Sequence, residues 1–238
     1  MHITHTEIYK YAIPMVPFTI ATGTMHFAQN IFIRIHTNEG VIGVGECSAF
    51  PMIAGETQNT CYEMAKDFAL VWKNKNPLAI EERMQELDLF TAGNYTAKSA
   101  FDMALYDIAA KLANQPLYQY LGGSKKTIES DLTIGIDTPE NMATTAITFK
   151  EKGVNIIKVK LGKNAIEDVE RIKQIRKAIG HEIGIRIDAN QGWSFEDAAM
   201  ALTAMGPYSV DFCEQPMRKW NDELLPALVA LSPIPIMA

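Results

Sequence analysis

From residue 131 onward the chain keeps one rhythm of short apolar strand and amphipathic helix. DLTIGI (131–136) precedes a helical stretch over 139–152, and NIIKVKLG (155–162) precedes one over 165–179. EIGIRIDAN (182–190) precedes one over 194–205, VDFCEQP (210–216) one over 222–231, and IPIMA (234–238) opens a fifth strand. Strand and helix alternating at about 25–30 residues per unit imply parallel construction, because parallel strands need a long crossover between them. A closed barrel and a doubly wound sheet both fit. No strand is followed by GxGxxG or GxxxxGK, so a nucleotide-binding sheet lacks its phosphate loop. The barrel is favoured, and barrels place their chemistry at the C-terminal ends of the strands.

The first half reads differently. Residues 3–13 alternate loosely as a strand. NIFIRIHTNEGVIGVGEC (30–47) is a hairpin with its turn at 37–40. A polar loop over 19–29 and a second loop over 48–57 are expected around it. Cys61, Met64, Ala65, Phe68 and Trp72 predict a helix over 60–73. In AKSAFDMALYDIAAKLANQPLYQYLGG (97–123), Ala100, Phe101, Ala104, Leu105, Ile108 and Leu112 form one apolar stripe, and Gly122-Gly123 ends the turn that follows.

A net charge of -6 and the lack of any dense basic cluster exclude nucleic acid as a partner. Cys47, Cys61 and Cys213 are widely spaced and read as three reduced thiols. No basic-then-apolar leader opens the chain, and no apolar run reaches the roughly 18 residues a membrane span needs. A soluble, cytoplasmic protein is the expectation.

Three consecutive units carry unusual charges near their strand ends. Lys158 and Lys160 share one face of their strand. Asp188 follows Ile183, Ile185 and Ile187, and Glu214 ends its strand before Pro216. On a barrel, Asp188 and Glu214 would stand at the rim of adjacent strands and repel one another unless they share a cation. Oxygen donors without His or Cys suit Mg²⁺ better than zinc. Each carboxylate alone could instead cap a helix or pair with a lysine, and a lone KxK could reach solvent; three successive strands with the same pattern argue against that. A lysine beside another cation has its pKa pushed down, so Lys158 can make Lys160 a usable general base, or the reverse. A base beside a carboxylate-bound metal fits proton abstraction next to a substrate carboxylate, through an enediolate.

Together IKVKLG, RIDANQGW, DFCEQP and the 97–123 signature resemble the enolase superfamily, over nearly the whole chain. The KxK form is similar to the muconate-lactonising subgroup, and the cap and first barrel strand are most like the dipeptide epimerases. The resemblance implies an N-terminal α+β capping domain (1–123) followed by a modified (β/α)₇β TIM barrel (124–238), truncated here after about four β/α units. It implies Lys160 as the base and Lys158 as its pKa-lowering neighbour, which also contacts the substrate carboxylate. Asp188 and Glu214 would be two of three ligands to one Mg²⁺, with Asn190 beside them. Thr133 would contact a dipeptide, and the cap-loop residues Gly23, Thr24, Met25 and Ile53 would face its second side chain. Ala-Glu epimerases carry an arginine near the Gly23 position; ATGTM (21–25) has no cation, so the second residue should be neutral, most simply hydrophobic.

The expected activity is Mg²⁺-dependent epimerisation of L,L-dipeptides, an isomerase reaction on a small molecule, by a family whose members often form homo-oligomers. The same residues would serve cycloisomerisation or o-succinylbenzoate synthesis. A degenerate barrel kept as a binding module would have lost the strand-end charges. The third metal carboxylate and a second lysine on the opposite substrate face are expected after residue 238, which makes the chain read as a fragment unable by itself to close a barrel or turn over.

Overall fold

Two separate sheets organise the chain. The structure, a computed structural model, describes residues 1–237. Strands β1 (Ile3–Ile20), β2 (Gly23–Thr37) and β3 (Ile42–Ser48) form one sheet in that order, with β2 and β3 antiparallel. Helices α1 (Pro51–Ala54), α2 (Gln58–Trp72), α3 (Ile80–Phe90), α4 (Tyr95–Leu112) and α5 (Leu117–Tyr120) follow. The second sheet is parallel. It is built as β4 (Leu132–Ile134), α6 (Pro139–Glu151), β5 (Ile156–Lys160), α7 (Ala165–Ile179), β6 (Gly184–Asp188), α8 (Phe195–Met205), β7 (Val210–Glu214), α9 (Leu225–Leu231) and β8 (Ile236–Met237), with the five strands in sequence order.

The chain divides into two compact units. Met1–Met15 with Phe27–Thr127 is one; Val16–His26 with the chain from Ile128 onward is the other. In the first, the alternation of NIFIRIH buries Ile31, Ile33 and Ile35, and the apolar stripe of α4 packs on β3. A Cβ at Gly43 or Gly45 would lie 2.1 Å from Ala104 O or 1.8 Å from Ala100 O, so only glycine lets this helix approach. Phe68, Trp72 and Phe101 meet edge to face beside it. Buried Glu56 accepts from the backbone N–H groups of Thr96 and Ala97, supplying the N-terminal cap that α4 lacks from its own N-cap side chain.

In the second unit, Ile157, Val159, Ile185 and Ile187 are fully buried in one cluster with Met142, Ile172, Ile175, Ala198 and Leu202 from α6, α7 and α8. Each such branched side chain contributes about 1.5–3 kcal/mol relative to exposure. The other face of β5 and β6 is left to Lys158, Lys160, Arg186 and Asp188.

Three elements depart from the expectation. The 19–29 stretch is no loop: β1 and β2 are separated only by Ala21 and Thr22, and Thr19 Oγ1 meets Thr24 Oγ1 at 2.9 Å across the turn. Both strands are largely solvent-facing there, so no apolar alternation marks them. The 48–57 loop contains α1. The helix expected over 222–231 is split into a 3₁₀ segment (Lys219–Leu224) and α9, with Pro226 in the first turn of α9, where its missing N–H costs nothing. All three cysteines are free and buried, and burial pushes the Cys47 and Cys61 thiols up to about 11 and about 12. Among the described residues, no helix is long and apolar enough to cross a membrane.

Candidate active site

Register brings the four strand-end charges together. β5 pairs β6 as Lys158↔Arg186 and Lys160↔Asp188. A register shift in β7 sets Cys213 opposite Ile187 and Glu214 opposite Asp188. Lys160, Asp188 and Glu214 therefore stand abreast on three adjacent strands, with Lys158 one step behind on the same face. Thr133 on β4 is paired with Lys158.

Asp188 is 1% exposed and is the hub. Its Oδ2 accepts from Lys160 Nζ at 2.6 Å and lies 3.1 Å from Lys158 Nζ. Its Oδ1 accepts from the backbone N–H of Asn190 at 2.8 Å. Lys158 also donates to Glu214 Oε2, so positive and negative groups alternate through the cluster. Burial pushes the Asp188 carboxyl up, but the ion pair with Lys160, the Asn190 N–H and Lys158 outweigh it and hold the carboxyl below its ordinary value. Burial alone would lower Lys158; hydrogen bonds to Glu214 and Asp188 overcome that and raise it. The direction is opposite to the lowering expected from a neighbouring lysine, because each ammonium here faces carboxylates first.

The expectation that Asp188 and Glu214 need a shared cation is met in the structure by Lys158, whose ammonium touches both. The donor chemistry fits a hard divalent ion as well: two carboxylates converge on one cation-sized point, and the buried Oδ1 of Asn190 beside them has no hydrogen-bond partner. No third Asp, Glu, His or Cys joins Asp188 and Glu214 among the described residues.

The loops after these strands are stitched together. Leu161 N–H donates to Asp188 O, Ala189 N–H to Glu214 O, and Gln191 N–H to Gln215 O. Asn190, Gln191 and Gln215 take left-handed backbone conformations, with φ of 45°, 63° and 43°, the kind of strain that clusters at functional loops. Gly162 is wedged at φ 102°, where a Cβ would lie 2.1 Å from Ala189 O.

Sequence reasoning missed the support beneath them. Asp168, fully buried in the first turn of α7, accepts from Gly162 N–H and Trp193 Nε1–H, both at 2.9 Å, and from Arg171 Nη1–H at 2.7 Å. Arg171 in turn donates through Nε to Asp137 O. One ion pair thus ties the loops after β4, β5 and β6. Arg186, paired with Asp131 at 3.1 Å, also shares the face of Lys158.

The hairpin tip that carries Gly23, Thr24 and Met25 belongs to this unit. Ile136 N–H donates to Thr19 O, and Ala21 Cβ would lie 3.0 Å from a Cβ on Gly162, so the tip sits over the ends of β4 and β5. Thr22 Oγ1 there is buried and without a hydrogen-bond partner. Ile53 is exposed on α1 in the first unit.

Residues 3–122 match the family described as mandelate racemase / muconate lactonizing enzyme, N-terminal domain, and residues 141–238 match the enolase C-terminal domain-like family. The D-Ala-D/L-Ala epimerase of Cytophaga hutchinsonii is 44% identical over 240 residues, covering 100% of this chain and 65% of that protein. The hydrophobic dipeptide epimerase of Enterococcus faecalis is 37% identical over 93% of this chain and 62% of its own length. The chain thus spans less than two thirds of these relatives. The crystal structure of the Cytophaga hutchinsonii dipeptide epimerase, complexed with Mg and D-Ala-L-Val, superposes with a TM-score of 0.98 at 43% identity, covering 100% of this chain and 65% of that one.

Proposed function

The chain belongs to the mandelate racemase / muconate lactonizing enzyme family, and on that premise we propose that the protein is a Mg²⁺-dependent isomerase that epimerises L,L-dipeptides with a neutral, apolar second residue. The observation that carries the reading is the row of Lys160, Asp188 and Glu214 on neighbouring parallel strands, with Lys158 behind it on the same face. The similarity to dipeptide epimerases supports it. In this reading residues 1–123 are the capping domain, and residues 124–238 supply the first β/α units of a (β/α)₇β barrel. The rest of the barrel would bring a third carboxylate and a second lysine.

Asp188 and Glu214 hold the ion, with Asn190 alongside. When bound, Mg²⁺ supplies positive charge to stabilise the negative charge that gathers on the substrate carboxylate. Lys160 takes the proton from the α-carbon of the second residue. Lys158 orients the carboxylate beside that carbon, a positioning contribution that keeps the base within reach. Thr133, one strand away from Lys158, contacts the peptide, and the tip carrying Gly23, Thr24 and Met25 meets the second side chain. That tip offers no cation to an acidic residue, which agrees with relatives named for Ala-Ala and hydrophobic dipeptides.

Incubating the full-length protein with Mg²⁺ and a panel of L,L-dipeptides in D₂O tests this. Deuterium should enter the α-carbon of the second residue, fastest for apolar dipeptides. Absence of deuterium from every dipeptide would sink the epimerase and leave the cycloisomerase-type reactions.

A further inference from the structure

A second cluster, chemically unlike the strand-end site, lies on the sheet of the first unit. Ile31, Ile33 and Ile35 point into the core, so Arg34 and His36 take the opposite face of β2. His5 and Glu7 on β1 meet them there. The His5 and His36 rings stack at 4.1 Å between centroids. Glu7 Oε2 stands 3.2 Å from His36 Nε2 and 3.1 Å from Arg34 Nη1. One ligating atom from each of His5, Glu7 and His36 lies within 4.8 Å of the other two.

Two of these atoms are also closed off from water and only loosely paired. Glu7 Oε2 and His36 Nε2 are both shielded from solvent, and their contacts with each other and with Arg34 are ion pairs without hydrogen-bond geometry. Buried polar atoms in native proteins are nearly always hydrogen-bonded, so a pair held only by loose ion contacts leaves room for a further partner. A partner that takes lone pairs from a neutral imidazole nitrogen and a carboxylate oxygen at once is a metal cation. Two imidazoles and a carboxylate are the protein donors of an open zinc site. Bond lengths near 2.0–2.1 Å put tetrahedral donors about 3.3–3.5 Å apart. The Glu7–His36 separation already meets that, and the exposed ring of His5 can close the remainder by rotation. Arg34 competes for the same carboxylate oxygen, but its side chain is 39% exposed and can swing into solvent.

We propose that His5, Glu7 and His36 form a binding site for a nitrogen-preferring divalent cation of the Zn²⁺ class, on residues separate from Asp188 and Glu214. Imidazole donors favour Zn²⁺, Ni²⁺ and Cu²⁺, whereas an all-oxygen pair favours Mg²⁺. The two sites therefore sort metals by donor type.

Calorimetric titration of the chain with Zn²⁺, in a large excess of Mg²⁺ to fill the carboxylate site, tests the assignment. One Zn²⁺ per chain should bind. Affinity should fall by at least about tenfold in each of His5→Ala, Glu7→Gln and His36→Ala. His5 is exposed, so His5→Ala reads out binding without threatening the fold. Binding should persist in Asp188→Asn/Glu214→Gln and tighten in Arg34→Gln, where the competing cation is gone. No Zn²⁺ binding, binding unchanged by all three ligand substitutions, or binding lost with Asp188 and Glu214 would overturn the site. Unchanged or weaker binding in Arg34→Gln would overturn the geometry that has Arg34 and the metal sharing Glu7.

Discussion

Lys160 on β5 and Asp188 on β6 face each other in register, with Nζ 2.6 Å from Oδ2. Both are largely withdrawn from water, Lys160 at 11% and Asp188 at 1% side-chain exposure. Removing one partner of such a pair leaves a buried charge short of compensation, which costs about 3–5 kcal/mol when nothing else pairs it. Lys158 still contacts Asp188, so Lys160→Met should destabilise the chain by about 1–3 kcal/mol without divalent ions. Mg²⁺ should recover most of that loss by taking over the carboxylate. Urea unfolding with and without Mg²⁺ reads both values; no loss without Mg²⁺, or no recovery with it, would contradict the shared use of Asp188.

Much of this arrangement was legible because it is written in period two. IIKVK and GIRID alternate apolar and charged residues, and parallel pairing then decides which charges meet. The parts that were not legible depend on contacts far apart in sequence. Asp168 sits in AIEDVERI, where an acid in the first turn of a helix is commonplace; only the fold shows it reaching Gly162 and Trp193. The α3 segment IEERMQELDLF buries only Arg83 and Leu87, too narrow a stripe to announce a helix. The hairpin tip reads as loop because its strands are largely solvent-facing and Thr19 bonds Thr24 across the turn, so no apolar alternation marks it.

The contact between the loops after β5 and β6 should be intolerant of a single carbon. Gly162→Ala would press a Cβ to 2.1 Å from Ala189 O at a φ of 102°, and should cost about 3 kcal/mol or more from overpacking and strain together. Gly40→Ala, at φ 79° with nothing within 4 Å, should cost only the left-handed penalty of about 1–2 kcal/mol. Equal denaturation midpoints for the two variants would contradict the close approach.

Introducing a cation at the hairpin tip should redirect specificity. Gly23 has φ 155°, a conformation unkind to side chains, so Thr24, exposed and next in line, is the better site. Thr24→Arg should raise kcat/KM for dipeptides ending in Glu by at least about tenfold relative to apolar ones, the worth of one charge-assisted contact. An unchanged profile in the full-length protein would show that the tip does not read the second side chain.

The first sheet has its own acid sensitivity. Hydrogen bonds from Tyr11 and then Asn30 hold the Glu46 carboxyl below its ordinary 4.5. A carboxyl depressed by folding stabilises the native state above its unfolded value and loses that contribution as pH falls through the folded one. The wild-type chain should therefore lose thermal stability below about pH 4.5 more steeply than Glu46→Gln does. Parallel melting curves against pH would contradict the assignment.

Whether Lys160 moves the proton is settled most directly by α-hydrogen exchange in D₂O, with the full-length protein, Mg²⁺ and an apolar L,L-dipeptide. Lys160→Ala should incorporate no deuterium at the second α-carbon while its circular dichroism spectrum matches that of the wild type and it binds Mg²⁺ at least as tightly. Exchange retained at the wild-type rate would contradict Lys160 as the base.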